Sequence, residues 1–363
     1  MSLKKGALTF SKFVVSDPLP GDFASRFDAR IKAGAFRDFF PENDEKSAGW
    51  TGLQDALDTE FAAAGHTVGD YRVFSLRIDR KTVPGALLRL RVREAERNLL
   101  AERGVKKLHR EEKEALRAAV YREILQQTLP VPSLFDVCWS LAQGKIYFSS
   151  LGEKILQEFQ DRFRETFSLN PTLHVPWLEA LAAVGKENRE PPEYLTKEPG
   201  REFLTWLWFK SEERNGRIDL GGGEEIGLFF VRRLVLESGR GDYAETVVCQ
   251  GPHASLREGR EALRQGKKIR EARLALEIDA AEWEFTFKAD LFQFQALKLP
   301  AAADDSGENE ATEGEGLLLE RIFLMERAVA IMERLFTVYM EIRNSPGWNA
   351  EAARIDSWAN RKQ

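Results

Sequence analysis

Apolar positions along the chain recur in two rhythms, one of period two and one near 3.6, and their interleaving predicts an α+β fold. Gly6–Ser16 carries Phe10, Phe13, Val14 and Val15 and reads as a strand. Phe23–Phe40 follows with helical spacing through Phe23, Phe27 and Ile31 and, after Gly34, through Phe36, Phe39 and Phe40. The turn Pro41–Asp44 stops it. Gly49-Trp50-Thr51-Gly52 is a tight glycine-flanked feature in which Trp50 is a core or interface anchor. Asp70–Asp79 alternates as a strand, with Tyr71, Val73, Ser75 and Arg77 on one side and Arg72, Phe74, Leu76 and Ile78 on the other.

Pro84 marks a helix start, where its missing N–H costs least. Leu88–Arg103 alternates at first but then fills with strong helix formers, and the spacing predicts a helix. Arg89, Arg93 and Arg97 then fall at i, i+4 and i+8 on one side. Gly104–Lys107 is a turn, and Glu111–Thr128 a second helix with Ala115, Ala119, Tyr121, Ile124 and Leu125 as its apolar stripe. Two consecutive helices with so few large apolar residues predict a pair that projects from the body.

Pro130 and Pro132 end that unit. Phe135–Ala142 and Lys145–Ser149 form a hairpin across Gln143-Gly144, and Gly152–Phe167 is a strongly amphipathic helix facing inward through Ile155, Leu156, Phe159, Phe163 and Phe167. Thr172–Val175 is a short strand and Lys186–Pro199 a linker rich in Pro, Glu and Lys. Arg201–Lys210 is an aromatic helix whose Phe203, Leu204, Leu207 and Trp208 read as core. Gly221–Gly223 leads into the strand Ile226–Glu237, which pairs with Ala244–Val248. Ser255-Leu256-Arg257-Glu258 is a capping-box pattern opening a helix to Gln265. Ala272–Ile278 and Trp283–Leu299 read as a long hairpin, and Leu317–Arg343 as a last helix with Leu318, Ile322, Met325, Val329, Met332 and Phe336 in its stripe.

Charge changes this picture because it is segregated. The formal total is −5, yet Arg77–Arg122 holds fourteen Lys/Arg against seven Asp/Glu, a net of +7. A second block, with Arg257, Arg260, Arg264, Lys267, Lys268, Arg270 and Arg273 against Glu258, Glu261 and Glu271, nets +4. The Gly/Ala/Ser-rich segment 301–316 has six acids and no base, so the remainder of the chain carries +1. That segment reads as a disordered linker. Basic patches on an otherwise near-neutral surface, with no helix-turn-helix, zinc finger or RNA-binding aromatic signature, point to phosphate-backbone contact without base readout. The competing reading of Arg77–Arg122 is a solvated, salt-bridged helix pair.

Candidate chemistry is sparse. His66, His109, His174 and His253 have no ligand spacing, and Cys138 and Cys249 form neither a disulfide framework nor a metal set. No P-loop, nucleophile elbow or zinc spacing occurs, and Gly221–Gly223 is not a phosphate loop because it leads into a strand. No catalytic residue, metal or cofactor is assigned, and the expectation is a binding protein, not an enzyme. The opening MSLKKGALTFSKFVV reads as a strand rather than a signal peptide, and no run of eighteen apolar residues exists. The expected setting is a reducing compartment, without a membrane partner.

The order of these features resembles the recombination-associated RdgC family of bacterial DNA-binding proteins. Similarity runs through Gly49-Trp50, the charged unit from Val83-Pro84 to Leu129-Pro130, the strand ending Gly144-Lys145-Ile146-Tyr147-Phe148, and His174-Val175-Pro176. It continues through Leu204–Trp208, Gln265-Gly266-Lys267 and Leu274-Ala275-Leu276 to a helix after an acidic insert. The resemblance implies a ring-shaped homodimer encircling duplex DNA without sequence preference. It also implies restraint of RecA-driven strand exchange and association with the nucleoid in the cytoplasm. Two departures stand out: Val131-Pro132-Ser133 where the family pattern includes Arg-Ala-Phe, and Gln250-Gly251-Pro252 where it has Lys-Lys-Gln.

The expectation is therefore an α+β, elongated multi-subdomain subunit with mixed or antiparallel sheets, flanking helices and a projecting helical unit. Its parts are an N-terminal α+β region (1–80), the basic unit (81–130), a central and C-terminal α+β region (131–300), the acidic linker (301–316), a C-terminal helix (317–345) and a tail (346–363). Double-stranded DNA is assigned to Arg89, Arg93, Arg97, Lys106, Lys107 and Arg110, with Lys267, Lys268 and Arg270 second. By resemblance, the loop Gln250, Gly251, Pro252 and His253 lies at a dimer interface. A module that binds a recombinase directly, without DNA, is the alternative, and a nuclease the remote one.

Overall fold

The computed structural model describes residues 3–38, 45–61, 64–186, 190–221, 223–239, 244–251, 256–300 and 310–361. Among them, thirteen strands form one antiparallel sheet flanked by helices, an α+β arrangement. The strand order is β10-β9-β11-β12-β13-β1-β6-β5-β4-β2, with β3 on β4, β7 on β1 and β8 on β9. In chain order these are β1 (Leu8–Val15), β2 (Lys46–Gly52), β3 (Thr67–Val68), β4 (Tyr71–Arg80), β5 (Val131–Ser140), β6 (Lys145–Phe148) and β7 (Pro171–Leu173). They continue with β8 (Arg217–Asp219), β9 (Glu225–Ser238), β10 (Glu245–Gln250), β11 (Lys268–Ile278), β12 (Ala281–Lys288) and β13 (Gln293–Lys298).

β1 joins the two halves. Its first residues pair with β13, Phe10 opposite Phe294, and its later ones with β6, Phe13 opposite Ile146. Regions 1–80 and 131–300 therefore share one sheet. The projecting unit is inserted between the adjacent strands β4 and β5, which stay paired from Tyr71–Ser140 to Arg80–Val131. Pro132 sits inside β5 opposite Asp79 and does not end the unit.

Alternation in β4 sorts its side chains into two cores. Phe74, Leu76 and Ile78 join Phe13, Trp139 and Phe148 beneath α1 (Phe23–Ala33) and α4 (Glu153–Phe167). Val73 and Tyr147 face the other way, into a larger core filled by α7 (Pro199–Glu213) and α9 (Glu310–Arg343). At 34 residues α9 is about 50 Å long. It runs under both halves: Arg321 donates to the Leu3 and Gly6 carbonyls near its start, and Arg343 bonds Glu202 at 2.7 Å near its end.

Several expectations change. The first helix stops at Ala33, because Gly34–Phe36 leaves it to clamp onto Trp50 through Phe36 N–H to Trp50 O (2.8 Å) and Trp50 N–H to Gly34 O (3.0 Å). Phe39, Phe40 and the turn Pro41–Asp44 lie outside the described residues. The glycine-flanked Gly49–Gly52 is the end of β2, and a Cβ at Gly49 would run into the Phe36 backbone. Trp50 is core, its indole donating to Thr166. Trp283–Leu299 is two strands, divided by a 3-10 turn at Ala289–Leu291. The linker Lys186–Pro199 contains α6 (Glu193–Thr196), and α5 (Pro176–Lys186) and β8 appear where no element was predicted.

In the acidic segment, 301–309 lie outside the described residues, but Glu310–Gly316 belongs to α9, which begins seven residues before Leu317. The tail forms α10 (Trp348–Asn360), held by the Trp358 ring against Trp208 at 5.0 Å.

Candidate nucleic-acid interface

The projecting unit is a helical hairpin, α2 (Gly85–Arg103) and α3 (Arg110–Gln127). Pro84, at φ −64°, takes the N-cap of α2, consistent with the ring's fixed torsion. Gly104 ends that helix at φ +63°, a left-handed position that a Cβ would strain. The Glu112 carboxylate accepts the His109 N–H at 2.9 Å and caps α3. Only Leu88, Val120 and Ile124 form a buried core between the helices, with Val83, Val92, Ala95, Leu116 and Tyr121 at its margin. So small a core predicts a hairpin that depends on its anchors, the flanking strands and the Tyr121 hydroxyl, which donates to Glu45 at 2.6 Å.

With its interior so narrow, most of the hairpin's charge is solvent-facing. Arg91 pairs with Glu94 at 2.9 Å, Arg103 with Glu112 at 2.7 Å, Arg110 with Glu114 at 3.0 Å and Lys113 with Glu96 at 2.6 Å. Arg89, Arg93, Arg97, Lys106, Lys107 and Arg117 have no carboxylate partner among the described residues, and all six are exposed. The Arg122 guanidinium donates to the Ala118 carbonyl at 3.3 Å and has no carboxylate partner among the described residues. Five of the six residues predicted for this patch are thus free cations. Arg110 is tied to Glu114 yet remains 91% exposed, a pair that a stronger anion can outcompete. Arg117 was missed; it stands seven residues, two helical turns, after Arg110, and that spacing was the available signal.

The second patch is different. Lys267 is buried, its side chain 7% exposed, and bonds Glu245 at 2.6 Å. Lys268 meets Glu198 at 3.4 Å, and Arg270 meets Glu237 at 2.9 Å and Glu271 at 3.3 Å. Arg260 pairs with Glu212, Arg264 with Glu261 and Arg273 with Glu284. Around them, buried Arg201 bonds Asp290 at 2.7 Å and Glu237 at 3.0 Å. The cations of this stretch whose side chains are described are answered by carboxylates, Glu261 and Glu271 from within it and the rest from other strands and helices, which a count along the sequence cannot see. Most of these cations are tied into the fold by ion pairs, whereas those of the hairpin are largely unpaired.

Gln250 ends β10 opposite Arg233, and the Gly251 N–H donates to the Arg232 carbonyl at 3.0 Å. Pro252, His253 and the Ser255 cap lie outside the described residues, and the helix expected after that cap is α8 (Leu256–Arg264). His66 bonds Asp28 at 2.8 Å, and His174 lies between Glu179 and Glu333. Burial drives the Cys138 thiol well above its ordinary pKa, the opposite of what a nucleophile needs. Among the described residues no group of three His, Cys, Asp or Glu could hold a metal ion, and no helix is long and apolar enough to cross a membrane.

No protein-family model matches this chain, and no curated protein matches it.

Proposed function

We propose that this protein binds duplex DNA without sequence preference through the α2–α3 hairpin, as a homodimer that limits the access of a RecA-type recombinase to DNA. One observation carries the DNA contact: six exposed cations on a projecting element, besides Arg122 with its bond to a backbone carbonyl, lack any carboxylate partner among the described residues. Cations left free in this way can neutralise phosphates and release counterions, which is the main source of non-specific affinity. The order of motifs shared with the RdgC family supports the dimer and the recombination setting. Six phosphate contacts give a log–log salt slope of about −5. A mobility shift of a short duplex across a salt series tests this. Binding that is absent at low salt, or indifferent to salt, rejects it.

A second reading has its own support. Leu87 and Leu90, three residues apart on α2, are 39% and 64% exposed, an apolar step beside the cations that suits direct contact with a recombinase. That reading expects capture of the recombinase without DNA, lost in Leu90→Asp and unchanged in Lys106→Glu/Lys107→Glu.

A further inference from the structure

On the sheet face turned away from α7 and α9, a groove of about 640 Å³ opens over β9, β11, β12 and β13. Leu274, Leu276, Phe285 and Phe287 point into the large core, so their strand neighbours Arg273, Glu284 and Thr286 face the groove. Two irregularities shape it. In β9 the register with β11 jumps from Phe230–Leu274 to Leu234–Ala272, leaving Val231, Arg232 and Arg233 opposite Arg273 alone. In β13 one extra residue stands between the Glu284–Lys298 and Thr286–Gln295 pairs. Each bulge holds a non-glycine residue in the left-handed region, Arg232 at φ +58° and Ala296 at φ +51°. Such bulges re-aim side chains.

The result is four cations around one acid. Arg273 Nε bonds Glu284 Oε1 at 2.8 Å and its Nη1 bonds the Ala296 carbonyl at 3.2 Å, which fixes the guanidinium in place. Lys298 reaches Glu284 Oε2 at 3.2 Å, and Arg232 stands 3.9 Å from Oε1. Arg233 is exposed beside them, with no carboxylate partner among the described residues. One carboxylate thus serves three cations, and the groove keeps a net charge of +3. The contrast with Arg270 and Lys268, each matched by carboxylates, is direct. Like charges held this close repel unless an anion joins them.

We propose that this groove binds a phosphate-class oxyanion, with Arg232 and Arg233 as its mobile ligands and Arg273 and Lys298 as its fixed floor. Planar guanidinium forks suit the paired oxygens of phosphate. The site stands on its own geometry and does not rest on the hairpin reading. A nucleic-acid phosphodiester and a free polyphosphate share this chemistry, and the test separates them.

The experiment is calorimetric titration with tripolyphosphate in a background carrying Arg89→Ala, Arg93→Ala and Arg97→Ala, which removes much of the hairpin's competing charge. Saturable binding is expected, weakened at least tenfold by Arg232→Glu/Arg233→Glu. Arg232→Gly supplies a variant whose folding is not at issue, because glycine accepts the left-handed torsion without strain; it should melt no lower and still bind more weakly. Displacement of tripolyphosphate by a short duplex assigns the site to nucleic acid, and failure to displace it assigns the site to free polyphosphate. Absence of saturable binding, or equal binding by the Arg232 and Arg233 variants, overturns the proposal. Neither result touches the hairpin, whose own loss would appear as unchanged duplex affinity in the triple variant.

Discussion

Lys267 Nζ lies 2.6 Å from Glu245 Oε2, with the lysine side chain 7% exposed and the glutamate 78% exposed. The ammonium is thus held from outside by an acid of β10, two strands away from β11, and it is not presented to a partner. The bond also keeps the Glu245 carboxyl below the usual glutamate range. Lys267→Ala should leave duplex affinity within about twofold of the parent while lowering stability by about 1 kcal/mol. Parallel binding and urea titrations check both. A large loss of affinity with stability intact would return Lys267 to the interface.

Arg201 is the most heavily paired cation of the interior, with Asp290, Glu237 and Glu198 around it and a side chain 6% exposed. Removing it strands Glu198 and Glu237, which are 17% and 12% exposed, while Asp290, 46% exposed, keeps its water. Arg201→Met should therefore cost about 3–5 kcal/mol, the range for breaking a buried pair from one side. Urea denaturation measures it. A cost below 1 kcal/mol would show that water already shares these charges.

Glu333 on α9 meets buried Lys12 of β1 and the His174 ring, which also faces Glu179. Burial opposes its ionisation, but the His174 ring 2.9 Å away and the Lys12 charge outweigh this and hold its carboxyl below the usual range. A depressed carboxyl stabilises the fold above its unfolded pKa and loses that contribution as pH falls through the folded one. Stability should decline from about pH 5 downward. Glu333→Gln should be less stable at pH 7 and show a shallower decline. Equal acid slopes in the two proteins, read from urea midpoints, would contradict the assignment.

Gly49 is tested by size. Its Cα faces the Phe36 backbone, where a methyl group has no room and no flexible neighbour to yield. Gly49→Ala should destabilise by about 1–3 kcal/mol in a thermal melt. An unchanged melting curve would mean that the Gly34–Phe36 clamp can move away.

Much of the fold was legible because burial follows local periodicity. The stripe from Leu318 to Phe336 on α9, the inward face of α4 and the two faces of β4 all fall where spacing places them. What was missed is non-local. β2 was not read as a strand because Gly49 serves a contact with Phe36 that the sequence does not announce. The second basic patch looked like an interface because Glu198, Glu237, Glu245 and Glu284 lie in other elements. The hairpin cations were readable for the converse reason: α2 and α3 pack mainly on each other, so local charge balance describes their surface.

The central claim is that free cations on α2 and α3 contact phosphate. It is tested most directly by the salt dependence of duplex binding, compared between the parent and an Arg89→Ala, Arg93→Ala, Arg97→Ala variant whose melting temperature is unchanged. The account predicts that the log–log slope falls by about 2.7, close to 0.9 for each lost contact, with equal loss on unrelated sequences. An unchanged slope, or a loss confined to one sequence, would contradict it.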